Sequence, residues 1–181
     1  MLRLARNLRP GELLIDAGVF DGTDWSLQGI LAGATVVGFE PLRENRRLID
    51  DRLPAQLLRE QQLLEAHSFL ELVPGEAVPN RPWSSVFKGP GHSYIMAAAL
   101  GERVRQLNMT TRYDYSSISD QGYLTGPPNM EVELIAMTTL DDVIYDYLPY
   151  DRIQLLKLDV EGAAMQNLFE VMRNRQMLDI E

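Results

Sequence analysis

Leu13-Leu14-Ile15-Asp16-Ala17-Gly18-Val19-Phe20-Asp21-Gly22 is a short apolar run that ends in an acid and passes through two glycines. A helical pattern follows it, with Leu27, Ile30 and Leu31 on one face, Thr23 or Asp24 placed to cap its start, and Gly33 closing it. A second run, Thr35-Val36-Val37-Gly38-Phe39-Glu40-Pro41, is β-branched and aromatic and again ends in an acid. Strand, glycine turn, helix, strand is the unit that places a ligand at the carboxyl ends of adjacent parallel strands. Glycine lets the backbone come close to that ligand. The second acid can accept hydrogen bonds from ribose hydroxyls.

The rest of the chain extends the same alternation. Residues 1–11 are basic and read as a short helix stopped by Pro10 and Gly11. From Leu42, the residues Leu48, Ile49 and Leu53 keep a helical period up to Pro54, and Ala55 to Leu72 again looks helical. Four prolines between Val73 and His92 predict a long loop, so 54–92 reads as an insertion or lid-like segment. Tyr94–Leu100 is expected as a third strand. Residues 104–110 and 131–138 alternate as half-exposed strands do, and are expected to pair as an antiparallel ribbon. Thr139-Leu-Asp-Asp142 has the spacing of a capping box. Ile153–Asp159 is the next strand, and Met165, Leu168, Phe169 and Met172 mark one face of a final helix. Leu178–Glu181 begins another strand where the sequence stops. The expectation is one α/β domain over 1–181, a doubly wound, mostly parallel sheet of order 3-2-1-4-5 with an inserted ribbon, lacking its final strands.

Composition narrows the partners. The chain has 181 residues, 45% of them hydrophobic, which suits one domain with one core. A formal charge of −9 argues against a phosphate-backbone partner, although Arg43, Arg46, Arg47 and Arg52 cluster. With no Cys there is no disulfide framework, thiolate nucleophile or cysteine metal site. No run reaches the roughly 18 apolar residues of a spanning helix. The default expectation is a soluble, cytoplasmic protein with no nucleic-acid or membrane partner and no metal.

Asp16, Gly18 and Gly22 form D-x-G-x-x-x-G rather than the dinucleotide spacing G-x-G-x-x-G. An acid at its head would repel a pyrophosphate but suits a ligand carrying an ammonium group, and S-adenosylmethionine is such a ligand. A tight turn that requires glycine and nothing more is the bland alternative. Glu40 stands near the position of a ribose-binding acid, or is a solvated strand end. Lys157 and Asp159, two apart on a strand, point to one face and so form a structural ion pair or line a cleft. His92, in Gly-Pro-Gly-His-Ser-Tyr, is a candidate base if that loop folds over the site, but is more simply a loop residue. His67 reads as a helix surface or packing residue. Trp83, Phe87, Tyr113, Tyr115 and Tyr123 are candidates for acceptor contacts or for loop packing, and Asp141 and Asp142 for a helix start.

Ile15-Asp-Ala-Gly18…Gly22, Val37-Gly-Phe-Glu-Pro41, Thr139-Leu-Asp-Asp142 and Leu156-Lys-Leu-Asp-Val-Glu-Gly162 resemble, in that order, the motifs of FkbM-type methyltransferases. These are class I, Rossmann-like enzymes that use S-adenosylmethionine. The resemblance spans residues 13–172 and implies O-methylation of a hydroxyl on a small molecule, sugar or glycan. It implies that Asp16, Gly18, Gly22 and Glu40 hold the cofactor, that Ala98, Ala99 and Leu100 lie near its adenine, and that Asp159 and Glu161 sit at the mouth of the reaction site. Asp159 is the first candidate for a base, with Glu161 and His92 behind it. The resemblance departs at Ala164, where the family usually carries an acid. Two alternatives stay open: a non-catalytic binding module on the same fold, and an NAD-dependent oxidoreductase that shares the strand, turn and acid.

Overall fold

The structure is a computed structural model that describes residues 3–60, 67–70, 92–101, 103–112, 115–118, 131–140, 142–143 and 152–160. Its centre is β1 (Leu13–Ala17), buried at every position. An apolar run buried on both faces, broken here only by Asp16, is the mark of a central parallel strand. It pairs in parallel with β2 (Thr35–Phe39) on one side and with β9 (Leu155–Leu158) on the other. Beyond β2 lie β4 (Ser93–Met96) and then β3 (His67–Leu70), giving a five-stranded sheet of order β3-β4-β2-β1-β9 in which every pair is parallel.

Helices α2 (Trp25–Leu31) and α3 (Arg43–Arg59) cover one face of this sheet. Leu27 and Ile30 of α2 and Ile49, Leu53 and Leu57 of α3 pack with Leu14, Val36 and Ile95. Each such side chain contributes on the order of 1.5–3 kcal/mol on burial. Gly29 is what lets α2 come this close, because a Cβ there would stand 2.7 Å from Leu14 and 2.8 Å from Val36. The opposite face carries Leu13, Ile15, Val37, Phe39, Tyr94 and Met96, closed by Leu100, Ala136, Leu140 and Val143. A short helix α1 (Arg3–Arg6) precedes β1.

After Met96 the chain bends at Ala97 and enters a second, mixed sheet. Its strands are β5 (Ala98–Gly101), β6 (Arg105–Arg112), β7 (Tyr115–Ile118) and β8 (Glu131–Thr139), in the order β5-β8-β6-β7. The expected antiparallel ribbon is present as β6 against β8, in register from Arg105↔Met137 to Thr111↔Glu131. Half of the capping box is present: the Asp142 N–H donates to Thr139 Oγ1 at 3.1 Å, while the Asp142 carboxylate accepts that hydroxyl at 2.6 Å rather than the Thr139 backbone N–H.

Three expectations are corrected. The third strand is two strands, since 93–96 and 98–101 belong to different sheets. The helix does not stop at Pro54, because the buried stripe Ile49, Leu53, Leu57 outweighs the one hydrogen bond a proline removes. Nor is 55–72 one helix: α3 ends at Arg59, and His67–Leu70 is an edge strand beside β4. Segment 54–92 therefore supplies the last turns of α3 and a strand of the main sheet. Its stretches 61–66 and 71–91, with Trp83 and Phe87, lie outside the described residues, as do Tyr113, Tyr123, Asp141, Glu161, Ala164 and the final helix and strand. No helix among the described residues is long and apolar enough to cross a membrane.

Candidate functional site

Chain order along the main sheet reverses between β1 and β9. From β1 the chain moves outward through β2, and it returns to β1's other side only with β9. In open parallel sheets the crevice beyond the strand carboxyl ends at such a point is where ligands bind. Asp16, Gly18, Glu40 and Asp159 all lie at that end.

Asp16 is 2% exposed. Its Oδ2 accepts the Ser26 hydroxyl from α2 at 2.7 Å, and its Oδ1 lies 3.3 Å from Lys157 Nζ on the neighbouring strand. The ion pair is not aligned as a hydrogen bond, so Oδ1 has no hydrogen-bond partner. Burial pushes the Asp16 pKa up, opposed by the Lys157 charge and the Ser26 hydrogen bond. Lys157 also donates to the carbonyls of Gly18 (2.5 Å) and Ala17 (3.3 Å), and lies 3.6 Å from the Asp159 carboxylate. The cation that the sequence assigned to a ligand is thus supplied at Asp16 by the chain's own lysine.

Glu40 is equally enclosed, at 3% exposed. Its two oxygens each accept a backbone N–H at 2.9 Å, Oε2 from Phe20 in the loop after β1 and Oε1 from Leu42 just before α3. Burial raises its pKa, against the hydrogen bonds from Leu42 and Phe20. Arg46 donates to the Glu40 carbonyl at 3.1 Å and to the Pro41 carbonyl. Glu40 is not a solvated strand end. It latches two loops, and Asn45 adds a side-chain hydrogen bond to its carboxylate.

The loop between these acids is tightly held. Gly18 has φ +81°, and a Cβ there would lie 2.3 Å from the Asp159 carbonyl oxygen, so only glycine fits. Gly22, at φ +74°, seats the loop on Ile49 and Leu53 of α3. The N–H groups of Gly18 and Val19 donate to the Phe39 carbonyl, Gly22 to Val19, Thr23 to Asp21, and Phe20 to Glu40. A pyrophosphate site presents such amides to its ligand. Here these five are committed to the protein. The expected side-chain cap of α2 is absent at Asp24, and Thr23 instead turns its hydroxyl to Asp21. Asp21 also pairs with Arg52 at 2.7 Å. Burial raises the Asp21 pKa, but hydrogen bonds from Thr23 and Arg52 outweigh it and the net shift is downward.

Two groups at this end face solvent. The Asp159 side chain is 78% exposed, and Phe20 is 54% exposed. Phe20 also has φ +60°, the one positive φ outside glycine among the described residues. The sequence motifs gave Phe20 no role. The signal was its place midway between Gly18 and Gly22, where a left-handed residue is required.

The remaining candidates divide. Ala99 packs with Leu42 and Met137, and Leu100 is 1% exposed within the core, so both are packing residues with no side-chain surface for an adenine. His92 does not belong to the site. Its carbonyl accepts the Val36 N–H at the amino end of the sheet, and the length of β4 separates it from Glu40 and Asp159. His67 is in a strand rather than a helix. No protein-family model, curated protein or solved structure matches the chain.

Proposed function

We propose that the protein is a class I, Rossmann-like methyltransferase of the FkbM type, using S-adenosylmethionine to methylate a hydroxyl on a small molecule, sugar or glycan. The observation that carries this reading is the convergence of Gly18, Glu40 and the open Asp159 carboxylate at the reversal point of the parallel sheet. The residues fit such a cofactor in kind. An amino-acid ammonium and a ribose diol need acceptors, and this end offers carboxylates, while the amides of Gly18, Val19, Phe20, Gly22 and Thr23 are bonded within the protein rather than presented to a phosphate. Asp159 would meet the ammonium or stand at the acceptor, and Glu40 would receive a ribose hydroxyl. Asp16 would act behind them, by fixing Lys157 and the turn.

S-adenosylmethionine supplies an already activated methyl group on its sulfonium. The chain's task is then to bind, orient and take a proton. Of the candidate bases, Asp159 alone is both described and open at the crevice. Its carboxylate would accept the acceptor hydroxyl proton at Oδ1 or Oδ2, with Lys157 steadying the anion.

A second reading has one observation in its favour. Asp16 and Glu40 both have internal partners, as in a fold that keeps the architecture and binds without turnover. The oxidoreductase reading is disfavoured by the committed loop amides.

Calorimetric titration with S-adenosylmethionine and S-adenosylhomocysteine tests the proposal. Micromolar binding, followed by methyl transfer that Asp159→Asn abolishes while affinity persists, supports an enzyme with Asp159 as base. Binding with no turnover on any hydroxyl acceptor favours the module. A folded protein that binds neither ligand refutes the methyl-donor reading.

A further inference from the structure

The start of α3 supports Glu40 twice. Leu42, at the N-cap, gives its N–H to Glu40 Oε1 at 2.9 Å, and the Asn45 side chain adds a hydrogen bond to the same carboxylate. Leu42 brings no capping side chain of its own, and the opening N–H groups of a helix have no partner within it. The cap comes from the second sheet instead. Glu133 of β8 accepts the Arg43 N–H at 3.1 Å through Oε1 and at 3.4 Å through Oε2. An anion at this end of a helix is also favoured by the helix dipole. The pleat of β8 accounts for the reach. Positions 133, 135 and 137 share one of its faces, and Ile135 and Met137 pack with the buried Leu42 side chain, together with Leu107 and Met109. Leu42 is thus gripped by the second sheet through its side chain while its amide holds Glu40.

We propose that Glu133 is a positioning residue for the ligand that Glu40 receives. By capping α3 from the second sheet, it keeps Leu42 and Asn45 on the Glu40 carboxylate and so fixes the direction of that carboxylate in the crevice. This rests on the methyl-donor reading, in which Glu40 meets a ribose hydroxyl. An acceptor held in place before binding loses less freedom when the ligand arrives. The ribose is common to methyl donor and product, so the effect falls on both alike.

The test compares wild type, Glu133→Ala and Glu133→Gln. Glu133→Ala should weaken S-adenosylmethionine and S-adenosylhomocysteine together by ~3- to 10-fold, the scale of a lost cap, and raise the donor KM with kcat little changed. Glu133→Gln keeps an acceptor at the cap and should restore affinity to within about twofold of wild type. The readout that a merely structural cap would not move is the Phe20 amide resonance, because that N–H is bonded to Glu40 Oε2 and lies far along the chain from both Glu133 and Arg43. It should shift in Glu133→Ala and return in Glu133→Gln. A lower melting temperature with the Phe20 amide and both affinities unmoved would overturn the proposal. So would lost affinity with that amide unmoved, or a Glu133→Gln loss as large as that of Glu133→Ala. If wild type binds neither nucleoside, the methyl-donor reading fails, and the Phe20 amide alone decides. A shift that Glu133→Gln reverses sustains the link from Glu133 to Glu40, and an unmoved resonance refutes it.

Discussion

The two sides of the crevice carry carboxylates in opposite states. On the β1–β2 side Asp16 and Glu40 are enclosed and partnered, by Ser26 and Lys157 in one case and by the Phe20 and Leu42 amides in the other. On the β9 side Asp159 is open, with Lys157 3.6 Å from its carboxylate. A buried carboxylate with partners fixes backbone, whereas an exposed one is available to a ligand. The same residue type therefore has mainly scaffold work on one side, to which Glu40 would add its proposed ribose contact, and contact work alone on the other, and substitutions should separate the two.

The largest expected effect is on the scaffold side. Asp16→Ala removes the carboxylate facing Lys157 and should cost about 3–4 kcal/mol in denaturant unfolding. A loss under 1 kcal/mol would place Asp16 with the open groups instead. Gly18→Ala should cost about 2–3 kcal/mol, because it adds a Cβ against the Asp159 carbonyl at φ +81°. Glu40→Gln replaces one acceptor by a donor facing a backbone N–H and should cost about 1–2 kcal/mol. Asp159→Asn should stay within about 0.5 kcal/mol of wild type and change only ligand binding or turnover.

Stability against pH sharpens the contrast. Asp16 and Glu40 have folded pKa values above their ordinary 3.8 and 4.5, so the folded state holds their protons more tightly than the unfolded chain. Their contribution is most favourable below those values and declines as pH rises through the raised ones. Asp21 runs the other way: its stabilisation is present above 3.8 and lost as pH falls. Thermal melts should show Asp16→Asn flattening the decline above pH 4.

The first strand, its glycine turn and the second strand were legible because burial on both faces leaves a continuous apolar run, and Gly18 and Glu40 follow at fixed places. The β6–β8 ribbon was legible from alternation. The strand His67–Leu70 was not, since four residues beside a leucine-rich helix carry no period of their own and owe their state to pairing with β4. Ala97 gave no sign of a bend, because Ala98–Gly101 is as apolar as Ser93–Met96. At the site, residue types located the acids but not their partners. That Lys157 faces Asp16 depends on the register Asp16↔Lys157 across 140 residues of chain, which spacing alone does not carry.

Amide chemical-shift mapping with S-adenosylmethionine tests the central claim most directly. Saturable shifts at Gly18, Phe20 and Asp159, with His92 unmoved, are the predicted result. Shifts confined to the amino end of the sheet, or none at all in a folded protein, would contradict it.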